Sequence, residues 1–175
     1  MAVVEATPIH VQTLARDRGY YLEAETFVAE PLESVFEFFE RLDHREHLCP
    51  ANLGLSIDNV SRDEHSSLIP EQADVELGAG VLLDFQIRLF KIPVRVRNEI
   101  VDWRPGEKFT EVQQRGPFKL WRHEVSCTPF EGGTRIIDRL HFDVPGGDFV
   151  YKLMFRRHIE SWFAYRHREL AERFG

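Results

Sequence analysis

KFTEVQQRGPFKLWRHEVSCTPFEGGTRIIDRLHFDVP, residues 108–145, decides the fold. Three runs of strand-like alternation are separated by Gly116-Pro117 and Gly132-Gly133, the pattern of an antiparallel meander. In the middle run Trp121, His123, Val125 and Cys127 share one face and Arg122, Glu124 and Ser126 the other, because strand side chains alternate with a period of two. His123 is thus a polar residue on an apolar face. A two-residue turn at Gly132-Gly133 would pair Glu131 with Thr134 and set Cys127 against Asp138, Val125 against Leu140 and His123 against Phe142. A three-residue turn at Gly116-Pro117-Phe118 would put Glu111 opposite His123 and Gln113 opposite Trp121. These registers gather Glu111, Gln113, Trp121 and His123 inside a sheet. They also leave Asp138 about 13 Å along the strand from the position facing His123, too far for contact.

Working outward, Val94, Val96, Asn98 and Ile100 alternate with Arg95, Arg97 and Glu99, and Arg104-Pro105-Gly106-Glu107 closes that strand onto the meander. Trp103 breaks the parity, so its face is open. Val75–Leu89 is strand-like around a bend at Gly78-Ala79-Gly80, and Phe90-Lys91-Ile92-Pro93 turns it back. Leu53–Val60 reads as a further strand, followed by the polar loop SRDEHSS. Tyr20–Ala29 alternates as the first strand. Pro31 suits the first position of a helix with Val35, Phe36, Phe39 and Leu42 on one face. Asp43-His44-Arg45-Glu46 has the form of a capping box for a second short helix that Pro50 stops. After Gly147 the period changes. Phe155, Ile159, Trp162, Phe163, Leu170 and Phe174 form a broad stripe on a long final helix, with Asp148 as its cap and Glu169–Arg173 as a surface pair.

Residues 1–18 carry an early proline and no clear period, and read as an N-terminal extension to a single domain spanning 19–175. The 175-residue length suits one domain with a real core. With Lys+Arg 22 against Asp+Glu 29, the net charge of −7 argues against nonspecific binding to nucleic acid. Cys49 and Cys127 lack Cys-x-x-Cys spacing and suggest a reducing compartment. The first residues have neither a basic start nor a continuous apolar block, and no hydrophobic run is long enough to span a bilayer. The expectation is a cytoplasmic protein without integral membrane association.

The order of one strand, two short helices, antiparallel strands and a long last helix resembles the START/Bet v 1-like superfamily. More narrowly the chain resembles SRPBCC proteins of the polyketide cyclase/dehydrase-like type. The similar motifs here are Phe109, Glu111, Gln113, Gly116-Pro117, Trp121, His123, Gly132-Gly133-Thr134, Asp138 and Pro145-Gly146. The resemblance implies an α+β helix-grip fold, a curved antiparallel sheet wrapped around the C-terminal helix with a cavity between them. It also implies a lipid, quinone, polyketide or similar apolar ligand. The 1–18 extension is not part of that pattern.

Glu111, Gln113, Trp121 and His123 are the leading ligand-binding candidates, because ligand cavities are mainly apolar with a few placed polar groups. Equally, Glu111 and His123 could be a satisfied structural pair. Asp138, Phe142, Phe85 and Trp162 complete the candidate set, although single aromatics are more often core. The leading reading is a carrier or sensor of a small hydrophobic molecule, with no cofactor. The rival is a cyclase/dehydratase-type enzyme with His123 as general acid or base and Glu111 orienting it. A third is a protein-interaction module, which a concentrated apolar surface patch would favour. His44, His47 and Cys49 lack a fourth ligand, so no metal site is expected. Arg156-Arg157-His158 and Arg166-His167-Arg168 read as a solvated outer helix face.

Overall fold

Residues 10–13, 19–62 and 76–175 are described by the structure, a computed structural model. The elements are β1 His10–Thr13, β2 Tyr20–Val28, α1 Leu32–Glu40, α2 Leu42–His47, β3 Ser56–Ser61, β4 Leu82–Leu89, β5 Ile92–Arg104, β6 Lys108–Arg115, β7 Leu120–Phe130 and β8 Gly133–Asp143. They are followed by α3 Gly147–Val150, a π-helical segment Tyr151–Phe155, and α4 Arg156–Phe174. Among the described residues the strands form one antiparallel sheet in the order β1-β2-β8-β7-β6-β5-β4-β3. β1 lies within the expected extension and joins the sheet edge, from His10 opposite Glu23 to Thr13 opposite Tyr20. Val75 and most of the SRDEHSS loop lie outside the described residues, and β4 begins only at Leu82.

The β7–β8 turn differs from the expectation. Phe130 pairs with Gly133, so the two central turn residues are Glu131 and Gly132, at φ 44° and 84°. Both are left-handed, as a type I′ hairpin requires. Gly133 is needed for another reason: a Cβ there would come within 2.2 Å of the Val28 carbonyl oxygen on β2. The turn therefore sits one residue earlier than expected, and the pairing slips by two. Asp138 faces Val125 and His123 faces Leu140. A slip of two keeps every side chain on its face, which is why the apolar pattern does not reveal it.

A bulge settles the face of Trp103. Between Ile100 opposite Glu111 and Asp102 opposite Thr110, Val101 is an extra residue on β5. It returns Trp103 to the inner face, 5.6 Å from Phe36 and 5.4 Å from Phe109 between ring centroids. A second shift makes Gln114 the extra residue on β6 and sets Asn98 opposite Gln113.

The inner face of the sheet packs on α1 and α4. Val35, Phe36, Phe39, Phe109, Val125 and Leu170 are buried together at one end, and Tyr20, Leu140, Phe142, Tyr151, Ile159 and Phe163 at the other. Each such side chain contributes about 1.5–3 kcal/mol on burial. Two expected caps are replaced. Asp43 pairs with Arg41, while Glu46 Oε1 accepts from the Ile57 amide at 2.9 Å. Asp148 lies inside the first turn after a left-handed Gly146, accepting from the Tyr20 hydroxyl at 2.9 Å and pairing with Lys152. Instead of the expected Glu169–Arg173 pair, the helix surface carries Arg156–Glu160 and Arg168–Glu172 pairs, and Arg173 lies over the Phe38 ring.

Candidate functional site

Between the sheet and α4 lies a cavity of about 90 Å³ that opens to solvent at its mouth. Leu83, Phe85 and Ile87 of β4, Val96 of β5 and Phe109 of β6 make much of its apolar wall, with Trp121 of β7 and Trp162 and Phe163 of α4. Trp121 and Trp162 stack at 5.6 Å, and Phe118 also stacks on Trp121 at 4.6 Å. Arg45, Asn98, Glu111, Gln113, His123 and Arg166 bring polar atoms into this lining.

Glu111 is buried and faces His123 across the β6–β7 ladder, as the sequence leads one to expect. Its hydrogen bonds nevertheless run elsewhere. Arg45 of α2 donates to Oε1, and Asn98 Nδ2 donates to Oε2 at 3.4 Å. Burial raises the carboxyl's pKa, but the Arg45 guanidinium, with His123 and Asn98, brings it below the ordinary carboxylate value. Gln113 Nε2 donates to the Phe118 carbonyl at 2.8 Å. Four buried atoms of these residues have no hydrogen-bond partner among the described residues: Arg45 Nε and Nη2, Asn98 Oδ1 and Gln113 Oε1.

A second centre forms around Asp138, whose side chain is fully buried. Here the expectation of separation from His123 is corrected. His123 Nε2 is 2.6 Å from Asp138 Oδ1, because the earlier turn brings Asp138 beside it on the diagonal of the ladder. Arg166 Nε donates to Oδ2 at 2.8 Å. His167 Nε2 is also 2.8 Å from Oδ2 but lacks the alignment of a hydrogen bond. Burial would raise the Asp138 carboxyl's pKa, yet Arg166, then His123 and His167, hold it well below the carboxylate range. The ionised carboxylate fixes a proton on His123 Nε2, leaving Nδ1 as the basic nitrogen of the neutral ring. Asp138, not Glu111, is therefore the carboxylate that orients His123. His123 also lines the cavity, and a carboxylate-held imidazole is a group able to move a proton.

Of the remaining expected residues, Phe85 and Trp162 line the cavity, whereas Phe142 is packed behind it against Tyr20 and Tyr151. His44 stacks on Phe38, and its Nδ1 meets the Phe38 carbonyl. Sequence reasoning does not single out Arg45, Asn98, Arg166 or His167 as inward-facing. The charge pattern puts Arg166 and His167 on a solvated face, but His167 continues the stripe Ile159, Phe163, Leu170 at helical spacing, and Arg166 borders it. Arg45 lies three residues from both Leu42 and Leu48. Those spacings are the available signals. Among the described residues, no helix is long and apolar enough to cross a membrane.

A sheet gripping a long last helix over an apolar cavity defines a START/Bet v 1-like, SRPBCC-type fold, and known structures share it. A START superfamily protein from Mycobacterium smegmatis matches with TM-score 0.60 at 13% identity over 88% of this chain and 96% of that one. Protein TTHA0849 from Thermus thermophilus matches with TM-score 0.65 at 15% identity over the same shares. Ginseng major latex-like protein 151 from Panax ginseng matches with TM-score 0.58 at 12% identity, again over 88% and 96%. No curated protein matches the sequence. The chain belongs to the DUF8410 family, a domain of unknown function, whose family model matches residues 63–174.

Proposed function

We propose that the chain binds a small, largely apolar molecule in the cavity between the sheet and α4, as a carrier or sensor in the cytoplasm. The observation that carries this reading is an aromatic and aliphatic enclosure interrupted by a few buried polar atoms without protein partners among the described residues. Arg45, Asn98, Gln113 and His123 are the groups that meet the ligand's polar end. Phe85, Trp121 and Trp162 hold its body, and Glu111 and Asp138 fix the polar groups in place. Cys49 and Cys127, unpaired and buried, suit a reducing compartment. The test is native mass spectrometry of the chain before and after exposure to a lipid and metabolite extract. A stoichiometric adduct that leaves unchanged is expected, and a folded chain that takes up nothing would overturn the reading.

The His123–Asp138 contact favours a second reading, a cyclase- or dehydratase-type enzyme in which His123 moves a proton at the bound carbonyl compound. Release of the adduct at altered mass, abolished in His123→Ala, would select it. In a carrier the same substitution weakens binding and nothing more.

A further inference from the structure

We infer that the occupant is a neutral molecule whose apolar body ends in a head carrying a hydrogen-bond acceptor beside a donor, as in a carboxamide or a hydroxy-ketone, and not a carboxylate. This rests on the cavity being a ligand site. The donor–acceptor inventory of one patch of wall supports it. Arg45 and Asn98 bind opposite oxygens of the same Glu111 carboxylate, so their groups lie within a few ångströms of each other. Asn98 faces Gln113 across the β5–β6 ladder. On this patch Arg45 leaves two donor nitrogens, Nε and Nη2, without partners, and Asn98 Oδ1 and Gln113 Oε1 leave two acceptors. The assignment of the amide oxygens follows from their nitrogens, which donate to Glu111 and to the Phe118 carbonyl.

A ligand that satisfies this patch accepts from Arg45 and donates to the amide oxygens. A carboxylate can accept from Arg45, but it would lie beside the Glu111 carboxylate and offer only lone pairs to Asn98 and Gln113. An ammonium would face the Arg45 guanidinium. The charges on the wall are already matched, Glu111 by Arg45 and Asp138 by Arg166. Any added charge is therefore uncompensated, and taking a charge out of water without a partner is costly. The stacked Trp121–Trp162 pair and the Phe85 and Phe118 rings suit a flat body.

The test is a set of near-isosteric probes: 2-naphthamide, 2-acetylnaphthalene and 2-naphthoate, titrated calorimetrically into the full chain at pH 7.5. Naphthamide is expected to bind about tenfold or more tighter than the ketone, which leaves the amide oxygens unmet, with naphthoate weakest. Asn98→Leu should narrow the gap between naphthamide and the ketone by removing one of the two acceptors that the amide N–H groups meet. Gln113→Leu, at a half-buried position, provides the same reading should Asn98→Leu fail to fold. Equal affinity for amide and ketone would mean that water serves those atoms, and tightest binding of naphthoate would mean an anion site. Either overturns the inference and leaves the ligand pocket standing. No binding by any of the three would overturn the pocket reading itself, and this inference with it.

Discussion

Arg166 of α4 reaches Asp138 of β8 through an Nε–Oδ2 contact of 2.8 Å, and neither side chain is more than 11% exposed. The same carboxylate holds His123 on the cavity wall, so one buried charge ties the last helix, the sheet and the candidate site together. Removing one partner of a buried ion pair strands the other, typically costing about 3–5 kcal/mol. Asp138→Asn is therefore expected to lose stability on that scale, measured by denaturant unfolding at pH 7.

The sign of the acid response follows from the same group. Asp138 has a native pKa well below its unfolded value of about 3.9, and Glu111 is lowered too. A depressed carboxyl contributes stability in full above the unfolded pKa and loses it as pH falls toward the native one. The groups facing Asp138 are His123, Arg166 and His167, and those facing Glu111 are Arg45, His123 and Asn98. Unfolding free energy should be level near neutrality and drop between about pH 5 and pH 2. Asp138→Asn should show a shallower drop; an unchanged slope would mean the carboxylate is not lowered by its partners.

The adjacent glycines of the β7–β8 turn should respond differently to alanine. Gly132 has open space around its Cβ position but a φ of 84°, so Gly132→Ala costs about 1–2 kcal/mol of backbone strain. Gly133→Ala drives a methyl to within 2.2 Å of a backbone oxygen on β2, which must give way. Thermal unfolding of the two variants should place Gly133→Ala lower, with hydrogen exchange loosened around Val28 and Thr134, which pair there.

Tryptophan emission can report on the cavity. Trp121 and Trp162 line it, whereas Trp103 is packed among Phe36 and Phe109. An apolar occupant should change emission in the wild type and in Trp103→Phe. The response should shrink sharply in Trp121→Phe and Trp162→Phe.

Both thiols should be silent in the folded chain. Burial pushes the Cys49 thiol up to about 11 and the Cys127 thiol up to about 12, so little thiolate exists at pH 8. Alkylation counted by mass should show neither cysteine modified within minutes under native conditions and both modified in denaturant.

How far the sequence can be read depends on which physical signal each residue carries. Alternation places Glu111, Gln113, Trp121 and His123 on the inner face and Glu111 opposite His123, and the element order points to the fold. The pairing of β7 with β8 is hidden because Gly132-Gly133 reads as the turn itself, whereas Gly133 is a paired strand residue whose missing side chain makes room for the Val28 carbonyl on β2. That single ambiguity moves Asp138 away from His123 in the inferred register. Trp103 has no readable face because a bulge at Val101 leaves no mark in composition. Arg166 and His167 read as solvated because charge outweighs their spacing, although a buried carboxylate on β8 receives them.

β1 is only four residues long, and β2 beside it has nine. An open sheet ends in unpaired backbone groups that invite the strands of other molecules, and a short outermost strand blunts that invitation. By pairing with Tyr20–Glu23, residues 10–13 act as a guard rail for the sheet. A chain trimmed of them would offer a longer run of free backbone to its neighbours, and its solubility would suffer before its fold did.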